Sequence, residues 1–185
     1  MKNDDTSLSK FISLILRHKP EEIGITLDRH GWADTAQLIK GIRSTGRRID
    51  TETLERIVRN DEKQRYSFSE DGKKIRANQG HSIPVEVEMP VTPPPEKLCH
   101  GTSLRFLDSI KQSGILRMNR LYVHLSPDTE TAFKVGRRHG KPVVLVIDTA
   151  AMLADGYQFR LSENGVWMSE DIPWKYVAEV LMPEN

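Results

Sequence analysis

Cysteine occurs once in the 185 residues, at Cys99. A single thiol rules out an internal disulfide framework and fits a reducing compartment. It also rules out a cysteine-rich zinc site, and the six histidines fall at no ligand spacing, so no metal is expected. No apolar run approaches the roughly 18 residues needed to span a membrane. The opening MKNDDTSLSK has no apolar stretch of the secretory kind, so a cytoplasmic location is expected. An excess of one charge is missing too: 27 Lys and Arg stand against 26 Asp and Glu, a net charge of +1. The balance holds on both sides of residue 90, with 16 against 15 before it and 11 against 11 after it. Grip on nucleic acid by bulk positive charge is therefore excluded. A phosphate site built from a few converging arginines is not. With 37% hydrophobic and 29% charged residues, the chain has the composition of a globular protein rather than a disordered one.

What is present first is a break. Residues 82–97 read SIPVEVEMPVTPPPEK, and Pro93 to Pro95 suit neither a helix interior nor a central strand. Such a stretch acts as a semi-rigid spacer. Two lobes are expected, 1–91 and 92–185, each just large enough for a small core. In the first, Leu8, Phe11, Ile12, Ile15 and Leu16 fall at helical spacing, with Ser7 or Ser9 as cap and Pro20 as stop. Gly31-Trp32-Ala33-Asp34 reads as a turn and cap before a helix carrying Leu38, Ile39 and Ile42. Asp50 or Thr51 caps a third helix carrying Leu54, Ile57 and Val58. RYSFSEDGKKIRA alternates around Asp71-Gly72, a hairpin signal. Three helices and a hairpin predict a winged-helix lobe. The second lobe predicts strands at LCHGTS, YVHLSP, PVVLVIDT and the C-terminal VAEVLMP, with helices over 104–116 and 129–140. The expected class is α+β.

Several groups have the chemistry of a site. Arg17-His18 ends the first helix, where cations are favoured by the exposed carbonyls. Capping and phosphate binding both account for the pair. Residues 40–76 hold eleven Lys and Arg against seven Asp and Glu, the one locally basic stretch. It reads either as a solvated face or as a nucleic-acid surface. Asn78-Gln79-Gly80-His81-Ser82 follows a hairpin strand with poor strand formers, as a binding loop does. In Cys99-His100-Gly101-Thr102, strand alternation sends Cys99 to the core and puts His100 and Thr102 on the opposite face. Gly101 would let a ligand approach the backbone there. His124 and Ser126 repeat the pairing of a histidine with a hydroxyl on one strand face.

In register, LSKFISLILRH, KQRY, IRANQGHS, LCHGTS, SGI, MNR and VHLSP resemble the RNA 2′-phosphotransferase family, known in bacteria as KptA. The resemblance runs from Leu8 to Val180. It implies a winged-helix lobe followed by an NAD-binding lobe of the ADP-ribosyltransferase type. It implies an NAD-dependent transferase: an internal RNA 2′-phosphate, as on spliced tRNA, is ADP-ribosylated and then transesterified. The products would be 2′-hydroxyl RNA, ADP-ribose 1″,2″-cyclic phosphate and nicotinamide. The family's Arg-His-Arg-Arg tetrad falls on Arg17, His18, Arg65 and Arg120. Its cofactor contacts fall on His100, Gly101, Thr102, His124 and Ser126, and RNA contacts are expected from Arg76, Asn78 and His81. The partners implied are NAD and a phosphorylated RNA, with the chain a monomer.

That chemistry suits these residues. A 2′-phosphate is largely ionised at pH 7 and needs no base to become a nucleophile. Arginine forks match phosphate oxygens and stay charged. Three of them would supply the positive charge that a metal supplies elsewhere. Many ADP-ribosyltransferases carry a late glutamate, but 164–168 has none until Glu170. A carboxylate there would repel a phosphate acceptor. Two alternatives remain open: a winged-helix nucleic-acid-binding regulator, and an ADP-ribosyltransferase acting on protein or on terminal phosphates of nucleic acid.

Overall fold

The computed structural model describes residues 3–183, so the outermost residues of the two expected lobes, 1–2 and 184–185, lie outside it. The chain divides into two units, Met1–Glu88 and Met89–Asn185. Both mix helices with small antiparallel sheets, the α+β class. Among the described residues no helix is long and apolar enough to cross a membrane.

In the first unit, the early apolar spacing becomes helix α1 (Asn3–Arg17). Ser7 and Ser9 lie inside it rather than at its cap. Ser9 is buried, and its carbonyl accepts a 2.6 Å bond from the Tyr66 hydroxyl. Ile12, Ile15 and Leu16 are fully buried, each contributing about 1.5–3 kcal/mol by leaving water. A two-residue strand β1 (Ala33–Asp34) leads into α2 (Thr35–Ser44), where the Asp34 carboxylate accepts the Gln37 N–H at 2.8 Å. Asp50 caps α3 (Thr51–Arg59) in the same way through Thr53. Such caps satisfy N–H groups the helix leaves without partners. The hairpin is β2 (Tyr66–Phe68) and β3 (Lys74–Ala77), turned at Gly72 with φ 69°. β3 sits centrally, in the order β1-β3-β2. Its Ile75 and Ala77 complete the core with the apolar faces of the three helices.

The second unit holds two three-stranded sheets. One is β4 (Lys97–Ser103), β6 (Pro142–Asp148) and β9 (Val177–Leu181), with β6 central and wholly apolar between residues 143 and 147. The other is β5 (Val123–Leu125), β8 (Trp167–Ser169) and β7 (Arg160–Leu161), with β8 central. Three helices pack around them: α4 (Leu107–Ser113), α5 (Thr129–Gly136) and α6 (Thr149–Ala154). The helix expected over 104–116 is shorter, because its first turn is 3-10 and Gly114, at φ 79°, ends it. The helix expected over 129–140 stops at Gly136 and continues as one 3-10 turn, Arg137–His139. Neither α6 nor β7 was expected. α6 begins where Asp148 caps it through Ala151 N–H, at 2.9 Å.

Helix α5 crosses β4 at backbone distance. A Cβ on Gly101 would lie 1.9 Å from the Ala132 carbonyl oxygen, and one on Gly136 would lie 2.3 Å from that of Thr102. Cys99 is buried on the same face, clustered with Ala132, Val144 and Val146.

Candidate active site

In the first unit, everything turns on the segment 78–82. It is tied at one end to Arg65: Asn78 N–H donates to the Arg65 carbonyl at 2.8 Å, and Asn78 Nδ2 donates to that of Gln64, also at 2.8 Å. It is tied at the other end to the last residues of α1. Ser82 N–H donates to the Arg17 carbonyl at 3.0 Å, and Ser82 Oγ lies 2.8 Å from His18 Nδ1. Positive φ at Gly80, 88°, lets the segment turn between these anchors. Residues 17, 18 and 65, far apart in sequence, are thus held to one five-residue span.

Arg65 is further fixed by a carboxylate that the sequence did not single out. Asp61 is 6% exposed, accepts the Arg65 backbone N–H at 2.7 Å and pairs with the guanidinium Nη1. The turn between them places Gln64 at φ 42°, an uncommon conformation for a residue with a side chain. The only hint in the sequence is an aspartate four residues before the arginine, which is too common a spacing to identify it.

Arg76, Asn78 and His81 are all buried. They were expected as RNA contacts, and the structure keeps them within the first unit, with His81 close enough to Arg17, His18 and Arg76 to feel their charges. Arg76 stacks over Trp32, its guanidinium carbon 4.4 Å from the ring centre. His81 is 1% exposed, and its Nε2 faces Gly31, where a Cβ would stand 3.5 Å away. Burial, and then the like charges of Arg17, His18 and Arg76, push its pKa down to about 4. His81 is therefore neutral at pH 7. The consequence for stability follows from proton linkage. The unfolded histidine binds its proton near 6.5 and the folded one only near 4, so stability is full above about 6.5 and is lost as pH falls toward 4. The expected loss is about 3 kcal/mol. Unfolding midpoints measured from pH 7 to pH 4 should fall more steeply for the native chain than for His81→Gln. Equal slopes would contradict it.

In the second unit, β4 and the end of β5 lie side by side. Cys99 and Ser126 exchange two backbone hydrogen bonds of 2.8 Å. His100 Nδ1 lies 3.1 Å from the His124 carbonyl. A carbonyl only accepts, so Nδ1 carries the proton. Burial holds the ring's pKa below the ordinary value despite that bond, so the imidazole is neutral and its Nε2 is a bare acceptor. Thr102 and Ser103 are buried next to it on β4, and Ser103 Oγ has no hydrogen-bond partner among the described residues. Gly101 has a different reason from the one expected. The face it leaves open is filled by Ala132 of α5, not by space for a ligand.

Arg120 lies in the loop after α4. That loop hangs from the segment before the last 3-10 turn: Ile115 and Ile172 exchange backbone bonds of 2.8 and 2.9 Å, and Arg117 N–H donates to Asp171 at 2.7 Å. Gly114 is required there, since a Cβ would meet the Ile172 carbonyl oxygen at 2.5 Å. Arg120 is exposed, and partial desolvation of its guanidinium, and then the like charge of Arg138, lower its pKa from the ordinary arginine value. Among the described residues no group of three or more His, Cys, Asp or Glu is placed to hold a metal.

Residues 3–171 match the family model for RNA 2′-phosphotransferase, Tpt1 / KptA family. The chain belongs to that family. It is 54% identical to a probable RNA 2′-phosphotransferase of Fusobacterium nucleatum, over 95% of this chain and 98% of the relative. It is 49% identical to one of Flavobacterium johnsoniae, over 95% and 97%, and 48% identical to one of Pseudomonas aeruginosa, over 95% and 96%. Membership in the RNA 2′-phosphotransferases makes this chain a transferase with RNA as its implied substrate, the class to which the seven motifs pointed.

Proposed function

We propose that this RNA 2′-phosphotransferase removes an internal RNA 2′-phosphate by transferring it to NAD⁺. The observation that carries the reading is the 78–82 segment, which gathers Arg17, His18 and Arg65 by hydrogen bonds at both ends. In the same reading the first unit is a winged-helix lobe and the second an ADP-ribosyltransferase-like lobe. In that reading Arg17, His18 and Arg65 of the first unit hold the phosphate, and Arg120 is the fourth member of the catalytic set. Planar guanidinium forks suit the phosphate oxygens at any working pH.

The second unit has donors and acceptors that suit NAD⁺. His100 Nε2, neutral and bare, would accept from a ribose hydroxyl, and the buried unpartnered Ser103 Oγ is a polar atom awaiting a ligand. Thr102, His124 and Ser126 stand beside them, and Gly101 contributes backbone only. When bound, NAD⁺ supplies an ADP-ribosyl group whose nicotinamide is the leaving group. The chain's own residues do the remaining work. Arg17 and Arg65 hold the phosphate for attack, which asks for no general base because the group is already ionised. The arginines count most during phosphoryl transfer, when charge builds on the non-bridging oxygens. His18 would donate to a phosphate oxygen or move a proton.

The test is incubation with NAD⁺ and a synthetic RNA bearing one internal 2′-phosphate. Nicotinamide, ADP-ribose 1″,2″-cyclic phosphate and 2′-hydroxyl RNA are expected in equal amounts. Binding without turnover would point to a regulator. A stable ADP-ribosyl adduct on a terminal phosphate or on protein would point to a different transferase. Either result overturns the proposal.

A further inference from the structure

His18 is the one member of the assigned tetrad that is not an arginine, and its imidazole has two distinct ring nitrogens. Which ring nitrogen faces the substrate therefore decides what it can do. Its Nδ1 is taken, 2.8 Å from Ser82 Oγ. Ser82 also caps the helix that carries it, donating its N–H to the Arg17 carbonyl at 3.0 Å. At this helix end the N–H groups of His18 and Lys19 both turn back to Leu14, at 2.9 and 3.1 Å. The later carbonyls thus need partners from outside the helix. One residue from 64 positions away fixes both the backbone at 17 and the ring at 18.

We propose that Ser82 is a positioning residue for the reaction: its hydroxyl holds the His18 ring at Nδ1 and so fixes the orientation in which the ring meets the phosphate. This inference rests on the function proposed above.

The chemistry of a hydroxyl fits that task. It donates to Nδ1 when the nitrogen is bare and accepts from it when it is protonated. The grip therefore survives both protonation states of the ring. In many hydrolytic sites a carboxylate orients the histidine. Here a carboxylate would put negative charge beside a phosphate that is itself nearly dianionic, and would favour the imidazolium form. A neutral orienter avoids both effects. The neighbouring histidine does not compete, since His81 is buried and held neutral.

Two measurements on the full chain test this. The first is single-turnover kinetics on the 2′-phosphorylated RNA at saturating NAD⁺. Ser82→Val and Ser82→Thr have nearly the same shape, and only the threonine keeps the hydroxyl. Ser82→Val should slow the reaction about tenfold, in the same step that His18→Ala slows, while Ser82→Thr stays within about twofold of the native rate. NAD⁺ KM should be unchanged in both. Equal rates for the valine and threonine variants overturn the proposal. The second measurement needs no RNA. Nitrogen-15 NMR of the His18 ring should show one fixed hydrogen-bonding pattern in the native chain and in Ser82→Thr, and an altered one in Ser82→Val. Unchanged nitrogen shifts overturn the proposal whatever the kinetics show. If the native chain releases no nicotinamide from the RNA assay, the proposed function falls, and the ring-nitrogen shifts alone then decide whether Ser82 orients His18.

Discussion

Arg120→Ala should leave nicotinamide release running and stall the reaction after it, so that ADP-ribosylated RNA accumulates. Partial desolvation, and then the like charge of nearby Arg138, lower the pKa of Arg120 without discharging it at neutral pH. Two neighbouring cations repel until an anion arrives between or beside them. Relief of that repulsion is greatest when the anion carries most charge. In the proposed sequence this is the transfer of phosphorus to the ribose hydroxyl, where the non-bridging oxygens gain charge. Removing one preorganised donor from such a site costs on the order of 10²–10³ in rate. The first step attacks at carbon, with the phosphate as nucleophile, and depends less on this residue. Quenched-flow sampling with gel separation resolves the two steps. If both slow equally and no ADP-ribosylated RNA appears, Arg120 serves binding in general and the assignment is wrong.

Gly101→Ala should destabilise the second unit, not merely weaken cofactor binding. The added Cβ would lie 1.9 Å from the Ala132 carbonyl oxygen, 2.7 Å from its carbon and 3.1 Å from its Cα. Those atoms are helix backbone, so no side-chain rotation relieves the clash. α5 must move off β4, and the second close contact, Gly136 on the Thr102 carbonyl, must loosen with it. The cost belongs at or above the top of the range for overpacking, about 3 kcal/mol. For a unit of this size, that is a fall in Tm on the order of 12–24 °C. Thermal unfolding followed by circular dichroism measures it directly. A native Tm with weakened NAD⁺ binding would show that the helix yields easily and that Gly101 serves the ligand after all.

That glycine marks where sequence reasoning reached its limit. The HGT motif was legible, and so was the burial of Cys99, because strand alternation is a local property. The reason for the glycine was not, because the atom that excludes a side chain belongs to Ala132, 31 residues on. The same division runs through the site. Caps at Asp34 and Asp50 act three residues away and could be read. The bonds from Ser82 to His18 and from His100 to His124 span 64 and 24 residues, and no local pattern encodes them. Ser7 and Ser9 misled because serine is a good cap, yet the helix had already begun at Asn3 and Ser9 meets Tyr66 instead. Helix α6 escaped notice because its six residues follow directly on a strand, with no loop to announce them.

The two-ended anchoring of 78–82 also bears on how this protein tolerates change. The hairpin tip at 70–72 is exposed and bonds to Thr35 at the start of α2 rather than to either anchor, so an insertion there should leave the 78–82 tie intact. An insertion between Ala77 and Ser82 is different. It would lengthen the tie between Arg65 and the end of α1 while leaving every proposed catalytic residue in place. Such a chain would keep the arginines and six of the seven motifs, interrupting only IRANQGHS, and would lose the spacing that makes them act together. The length of that segment therefore matters to this chain as much as the arginines it ties together.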